Sequence, residues 1–451
     1  MSDKKTGFRL SDGTTLDELV PGNGERSVAG RIMSDQEVYR LELERIFDKT
    51  WIFVAHESEI PEKDDFVTRY IGEDPVIVSR LKDGGFSVLL NSCSHRGPRV
   101  CMADRGTSGM FRCPYHGWVY KNTGELFAVP GEKTVYGEGL CKDQLGLKQA
   151  RVDAYHGLIF ATWNEAAPSL KEFLGPITVW LDVVFGLGKN GMKVAGPPHR
   201  WVLPCNWKMG ADNFNTDNYH PLATHQSVAE AGALPGLDVR IETVAGRANN
   251  AIDVERGHSI ASFISPTPEM PEQAYLDIGC EIAGVPRNMV QELRETLTED
   301  QVGKLLRSSG SAGNVWPNLS WIRSPCATGE GNPSIGALTI RLWQPHGPEH
   351  MEAWSWSLLY KDAPDDVNAA ERQALLRTFG PSGTFESDDA EIWINMQKAM
   401  RGVQGRKRRM IYNAQGKKNP NVEAPLEYYN GQISDDNQWH FYTTWRHAMQ
   451  G

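Results

Sequence analysis

Two groups of residues in this chain have the types and spacing of metal ligands. The first lies in two short segments, Asn91-Ser92-Cys93-Ser94-His95-Arg96-Gly97-Pro98 and Phe111-Arg112-Cys113-Pro114-Tyr115-His116-Gly117-Trp118. Each offers one thiolate and one imidazole. With both Cys on one iron and both His on the other, the two segments can ligate a two-iron cluster asymmetrically. Imidazoles in place of thiolates raise the reduction potential and let protonation couple to electron transfer. Zinc also accepts two Cys and two His, but zinc fingers pair Cys with Cys and His with His locally, and here each segment mixes them. Cys101 has no His at ligand offset and reads as a small buried apolar residue.

The second group is the run from Asp212 to His225, with Asn213, Phe214, Asp217, His220 and His225. Two His and one carboxylate form the ligand set of non-haem Fe(II), which leaves open positions for O2 beside a substrate. If the stretch is helical, Asp217 and His220 share a face, and Asp217 suits an orienting role toward an imidazole N–H. A lone His pair reads more simply as polar residues on a helix, and the Cys-His segments upstream reverse that preference. The third ligand must come from elsewhere. The best source is Phe379–Glu391, a Gly/Pro-punctuated loop opening into a helix from Asp388. Its carboxylates also suit a helix N-terminal cluster favoured by the macrodipole. Spacing alone does not choose among Glu386, Asp388, Asp389 and Glu391.

The elements around these residues change character along the chain. Ser34-Asp35-Gln36-Glu37 reads as a capping box opening an amphipathic helix over Asp35–Lys49. From Trp51 to about Asn164 short strands are expected at Phe66–Ile71, Val76–Arg80, Phe86–Asn91, Gly117–Tyr120 and Gly157–Trp163, which makes an all-β module. Beyond Ala166 the pattern mixes helices (Arg287–Arg307, Val367–Phe379) with strands (Ser334–Gln344, Met351–Tyr360). In the last, Trp354, Trp356, Leu358 and Tyr360 alternate, as in a strand with one buried face. The expectation is α+β, an antiparallel sheet packed against helices.

The length of 451 residues allows two or three domains, and 14 Trp argue for large buried aromatic clusters. A net charge of −10 disfavours nucleic-acid and anionic-membrane partners. Seven scattered Cys do not form a disulfide framework. No signal-peptide layout or bilayer-spanning apolar run is present, so the cytoplasm is expected. The basic run Arg401, Arg406, Lys407, Arg408, Arg409 suits a solvated face, a subunit contact or a dock for an acidic ferredoxin. No Gly-x-Gly-x-x-Gly fingerprint sits on a strand–turn–helix unit, so electrons must come from a partner.

The Cys-x-His and Cys-x-x-His segments, with their flanking His-Arg-Gly and His-Gly-Trp, resemble the Rieske domain of aromatic-ring-hydroxylating oxygenases. Asn206-Trp207-Lys208, Val315-Trp316-Pro317-Asn318-Leu319-Ser320 and Phe385-Glu386-Ser387-Asp388-Asp389 extend the likeness to the large subunits of naphthalene- and biphenyl-type dioxygenases. The resemblance implies an arm and helix at 1–47, a Rieske domain at 48–168 and a helix-grip catalytic domain at 169–451. It implies a [2Fe-2S] cluster on Cys93, His95, Cys113 and His116, and an Fe(II) on His220, His225 and Asp389, with Asp388 as runner-up. By the same likeness Asp217 bridges to a neighbouring subunit's Rieske domain in a ring (α3β3 with a small β subunit, or α3 alone). Asn213 lies near the iron, and Phe214 and Phe385 are either pocket walls or plain core. The implied partners are a ferredoxin and an NAD(P)H-dependent reductase. The implied reaction is cis-dihydroxylation of an arene with O2, with monooxygenation, demethylation or aromatic-carboxylate dioxygenation as the alternatives; a Rieske protein for electron transfer alone would lack the second iron.

Overall fold

A computed structural model describes residues 8–230, 248–264, 295–326, 335–418, 426–430 and 433–451. The chain forms two compact units, Phe47–Phe173 and Met1–Ile46 with Leu174–Gly451. Among the described residues no helix is long and apolar enough to cross a membrane. Cys280 lies outside the described residues, and the six other cysteines are free thiols.

The Phe47–Phe173 unit is built on an antiparallel sheet of seven strands. Their order is Ile52–His56, Leu158–Thr162, Gln149–Tyr155, Phe86–Leu90, Asp74–Arg80, Asp65–Ile71, Arg105–Thr107. A second sheet joins Met110–Arg112, Val119–Lys121 and Leu126–Ala128. The five expected strands are present with shifted ends. The one expected at Gly117–Tyr120 starts at Val119, because Gly117 has φ +74° and still belongs to the turn. Ile52–His56 escaped the reading because all five of its residues are buried and no alternation marks it. The three-residue strands are too short to show a period at all.

The larger unit holds an antiparallel sheet of ten strands among the described residues. At its centre Leu319–Cys326, Ile335–Pro345 and Met351–Tyr360 pair in sequence. The last strand is buried on both faces, not one as its alternation suggested. Helices cover both sides. On one, Ala337 and Cys326 pack against Ala374, Leu375 and Phe379 of the helix Asp365–Phe379. On the other, Trp321 meets Phe185 of the helix Thr178–Phe185 at 5.8 Å. The helix Trp207–Phe214 lies so close to the sheet that a Cβ on Gly210 would stand 2.4 Å from the Trp343 ring.

Three helical expectations need correction. The helix expected over Asp35–Lys49 is α-helical only for Gln36–Glu42 and widens into a π-turn at Leu43–Phe47. Its cap is Asp35, whose carboxylate accepts from the N–H groups of Glu37 and Val38, so the Ser34 capping box does not form. Of Arg287–Arg307, residues 287–294 lie outside the described residues. The described helix Glu299–Arg307 begins afresh at Thr298, which exchanges hydrogen bonds with Gln301 in a capping box.

Glu42 ends its helix fully buried, accepting from Trp207 Nε1 (2.9 Å), Lys208 Nζ (2.6 Å) and Trp445 Nε1 (2.7 Å). Burial pushes the Lys208 ammonium down and Glu42 opposes the shift. Lys208→Met leaves that carboxylate without its counter-ion and is expected to cost about 3–5 kcal/mol in denaturant unfolding. Adding Glu42→Gln should recover most of the loss. No recovery would mean that the pair's charges are not what the site depends on.

Glu371, on the Asp365–Phe379 helix, is buried and its Oε1 has no hydrogen-bond partner. Burial pushes its carboxyl from 4.5 up to about 8. The folded state therefore holds a proton that the unfolded state has released, and stability falls as pH rises between those values. Glu371→Gln should flatten that slope, stabilising the protein more at pH 8 than at pH 5 in urea titrations. An equal effect at both pH values would contradict the assignment.

Candidate metal centres

The first centre is framed by two loops with the same backbone plan. Cys93 N–H donates to Pro98 O (2.9 Å) and Gly97 N–H to Cys93 O (2.7 Å). In the second loop Cys113 N–H donates to Trp118 O (2.7 Å) and Gly117 N–H to Cys113 O (3.0 Å). Gly97 (φ +83°) and Gly117 (φ +74°) supply the left-handed residue each turn requires. The thiols of Cys93 and Cys113 are buried, while His95 and His116 are half-buried with rings 4.6 Å apart. The donor set therefore has a dry sulfur end and a wetter imidazole end. His95 stacks on Trp118 at 4.8 Å and its buried Nδ1 has no hydrogen-bond partner. Tyr120 OH lies 3.2 Å from Cys93 Sγ. Trp118 entered the sequence reading only as a flank of the second segment and Tyr120 only as the end of an expected strand; the contact of Tyr120 with Cys93 follows from its place in the strand Val119–Lys121. A [2Fe-2S] cluster fits this arrangement, because it would employ both buried thiols and the orphaned imidazole nitrogen.

The second centre gathers His220, His225 and Asp389, whose ligand atoms lie within 4.8 Å of one another. The run that carries the two His is not one helix, as Asp217 and His220 on one face would require. The helix ends at Phe214, Thr216 takes φ +71°, and a short 3-10 turn covers His220–Leu222. That φ is unusual for a β-branched residue. It is held from the C-terminal helix Asp436–Gln450, where Asn437 Nδ2 donates to Thr216 Oγ1. Asp217 then acts through the turn. Its carboxylate accepts from Tyr219 N–H (3.0 Å) and His220 N–H (3.1 Å), and its carbonyl accepts from His220 Nδ1 (2.5 Å). Asn213 contributes its carbonyl, which takes the Asp217 N–H at 2.9 Å.

With Nδ1 of His220 engaged by a carbonyl, Nε2 is the nitrogen left to a metal, which would displace the proton from it. Nε2 faces Asp389 Oδ1 at 3.4 Å. His225 is arranged alike, with Nδ1 3.4 Å from Asp388 Oδ2 and Nε2 3.4 Å from the same Asp389 Oδ1. The two neighbouring carboxylates are thus told apart: Asp389 faces both Nε2 atoms and Asp388 stands behind one imidazole. The helix bearing them starts at Thr384, not Asp388, so both lie inside it.

Among the described residues Asp389 Oδ1 is buried without a hydrogen-bond partner. One orphaned carboxylate oxygen and two imidazole lone pairs form a donor set that a divalent iron completes. Burial pushes Asp389 up to about 7, against the pull of His220. Burial opposes charge on His220, but Asp217 and Asp389 outweigh it and hold it at about 9. Burial and then the His220 charge push His225 down to about 3. Phe385 packs edge-on against His225 at 4.5 Å, a wall beside the site. Phe214 is core, against Trp343 (5.0 Å) and Trp393 (6.5 Å).

Residues 50–148 match the Rieske [2Fe-2S] domain, and residues 193–451 match the ring hydroxylating alpha subunit catalytic domain. The chain belongs to the ring-hydroxylating oxygenase alpha-subunit family. It therefore carries a Rieske [2Fe-2S] cluster and a mononuclear iron, and works as a terminal oxygenase with other components. It is 34% identical to the N,N-dimethyl phenylurea N-demethylase subunit alpha of Sphingobium sp. (strain YBL2), over 97% of this chain and 95% of that one. It is 35% identical to the biphenyl dioxygenase subunit alpha of Paraburkholderia xenovorans (strain LB400), over 83% and 80%. Naphthalene 1,2-dioxygenase from Rhodococcus sp. bound to indole superimposes with a TM-score of 0.86 at 39% identity, covering 94% of each chain.

Proposed function

We propose that this alpha subunit cis-dihydroxylates an aromatic ring with O2, using NAD(P)H-derived electrons delivered by a reductase and a ferredoxin. The observation that carries this reading is the convergence of His220, His225 and Asp389 beside the Phe385 ring, in a chain alike over most of its length to biphenyl and naphthalene dioxygenases. In this reading His220, His225 and Asp389 hold the iron, and Cys93, His95, Cys113 and His116 hold the cluster. When bound, the iron supplies open positions for O2 beside the substrate, and the cluster supplies electrons one at a time. The residues do the rest. Asp217 and Asp388 fix which nitrogen of each imidazole is free. Asn213 anchors the turn that carries Asp217. Phe385 gives an arene an aromatic face to lie against, and the buried wall excludes water.

Asp217 keeps 33% of its side chain exposed, enough to accept a hydrogen bond from outside the chain. That supports a bridging role toward the Rieske His of a neighbouring subunit, in an α3 or α3β3 ring. Arg406, Lys407 and Arg408 are exposed and suit an acidic ferredoxin as a partner. The demethylase likeness favours a second reading, monooxygenation at an N-methyl group. Oxygen-18 labelling separates the two. A product with two labelled atoms on adjacent ring carbons supports the dioxygenase, and one labelled atom overturns it.

A further inference from the structure

Arg341 is the largest buried cation of the catalytic unit whose contacts reach the iron-bearing helix. It is fully buried in the strand Ile335–Pro345. Nη1 donates to Thr339 Oγ1 at 2.5 Å and to Ser355 Oγ, which anchors the head to the sheet. Nη2 donates to Phe379 O at 2.8 Å and to Glu386 Oε2 at 2.9 Å. Phe379 is the last residue of one helix and Glu386 lies in the first turn of the next. Between those helices runs the tight turn Gly380-Pro381-Ser382-Gly383, closed by the Gly383 N–H on Gly380 O at 2.7 Å. One guanidinium thus clasps both sides of it.

The register of the second helix decides which carboxylate meets the imidazoles. Asp388 and Asp389 are adjacent, so a roll of about 100°, one residue of an α-helix, would exchange them. Glu386 is three residues before Asp389, on the same helix face. Fixing Glu386 to the sheet fixes that face. The pairing turns Glu386 Oε2 toward the sheet, and Asp389 Oδ1 is the carboxylate oxygen that stands 3.4 Å from both His220 Nε2 and His225 Nε2.

We propose that Arg341 is a positioning residue for the mononuclear iron, setting the register of the Thr384–Arg401 helix through the Phe379 carbonyl and Glu386 so that Asp389, not Asp388, is the ligand. This rests on Asp389 binding the iron. A core ion pair without that role would be exchangeable for apolar side chains at little cost to stability or metal binding.

The test uses the full chain with its cluster intact and the mononuclear iron removed by a chelator. Fe(II) rebinding is then followed by equilibrium dialysis. Arg341→Met/Glu386→Met removes both charges and should melt near the parent, yet bind Fe(II) about 10–100-fold more weakly, as losses behind a ligand do. Arg341→Lys keeps the charge but not the fork, and should fall between. Parent-like Fe(II) affinity in the double variant overturns the proposal. Should the double variant not fold, parent-like affinity in Arg341→Lys overturns it instead. Asp389→Ala runs alongside: if it keeps Fe(II), the ligand assignment has failed, not the register argument alone.

Discussion

Asp389→Ala is expected to release the mononuclear iron, abolish oxygenation and leave the Rieske spectrum unchanged. The reason is the asymmetry between neighbours. Asp389 Oδ1 stands 3.4 Å from both Nε2 atoms, and among the described residues nothing offers that oxygen a hydrogen bond. Removing it leaves two neutral imidazoles, a donor set too weak to retain Fe(II) against buffer and chelators. Asp388→Asn should behave differently. Among the described residues the Asp388 carboxylate meets His225 Nδ1 from behind, so its amide loosens the ring and costs about 10–100-fold in iron affinity without emptying the site at saturating Fe(II). Elemental analysis reads both: about three irons per chain in the parent and in saturated Asp388→Asn, about two in Asp389→Ala. Three irons in Asp389→Ala would remove the carboxylate from the ligand set.

Asp217→Ala has the second large effect. The proposed iron ligands are untouched, because His220 Nδ1 is held by the Asp217 backbone carbonyl, which the substitution keeps. The carboxylate is lost, and with it the acceptor for Tyr219 and His220 N–H and the exposed edge proposed as the bridge. The expected outcome is an intact Rieske spectrum, retained iron and turnover lowered beyond detection. Asp217→Asn separates the two parts of the role. Its amide oxygen still caps the turn, so a structural role alone would be rescued, whereas a bridge that depends on the charge would not. In a single-turnover experiment with pre-reduced protein, substrate and O2, the cluster of either variant should stay reduced while that of the parent oxidises. Most of the parent's activity in Asp217→Ala would remove the bridging role.

What could be read in the chain beforehand divides by distance along it. The proposed cluster ligands could be picked out because both halves are local: each loop closes on itself through backbone bonds at fixed offsets, so spacing carries the geometry. The two His were local too, but the turn before them was not foreseen, since a left-handed Thr216 is held by Asn437 from far along the chain. The choice of Asp389 over Asp388 came only from family likeness. Spacing could not supply it, because the start of that helix is set by a glycine cap at Gly383 and a buried Arg341 on another strand. Glu386 read in sequence as one of four candidate ligands, and nothing there marked Arg341 as its partner. Met351–Tyr360 misled in the opposite way: its alternating aromatics pointed to one wet face, but the helices on both sides leave none.

The division of the chain into Phe47–Phe173 and its flanks has a consequence for how the protein is made. The cluster-bearing unit is continuous and is complete on the ribosome once residue 173 has emerged. The iron-bearing unit is discontinuous, and its Glu42 hub waits for Trp445, 403 residues further along the chain. Domains fold as units during synthesis, the N-terminal ones first. Cluster insertion therefore has a folded recipient while the iron site is still being translated, and a truncated product would be able to take up electrons with nowhere to spend them.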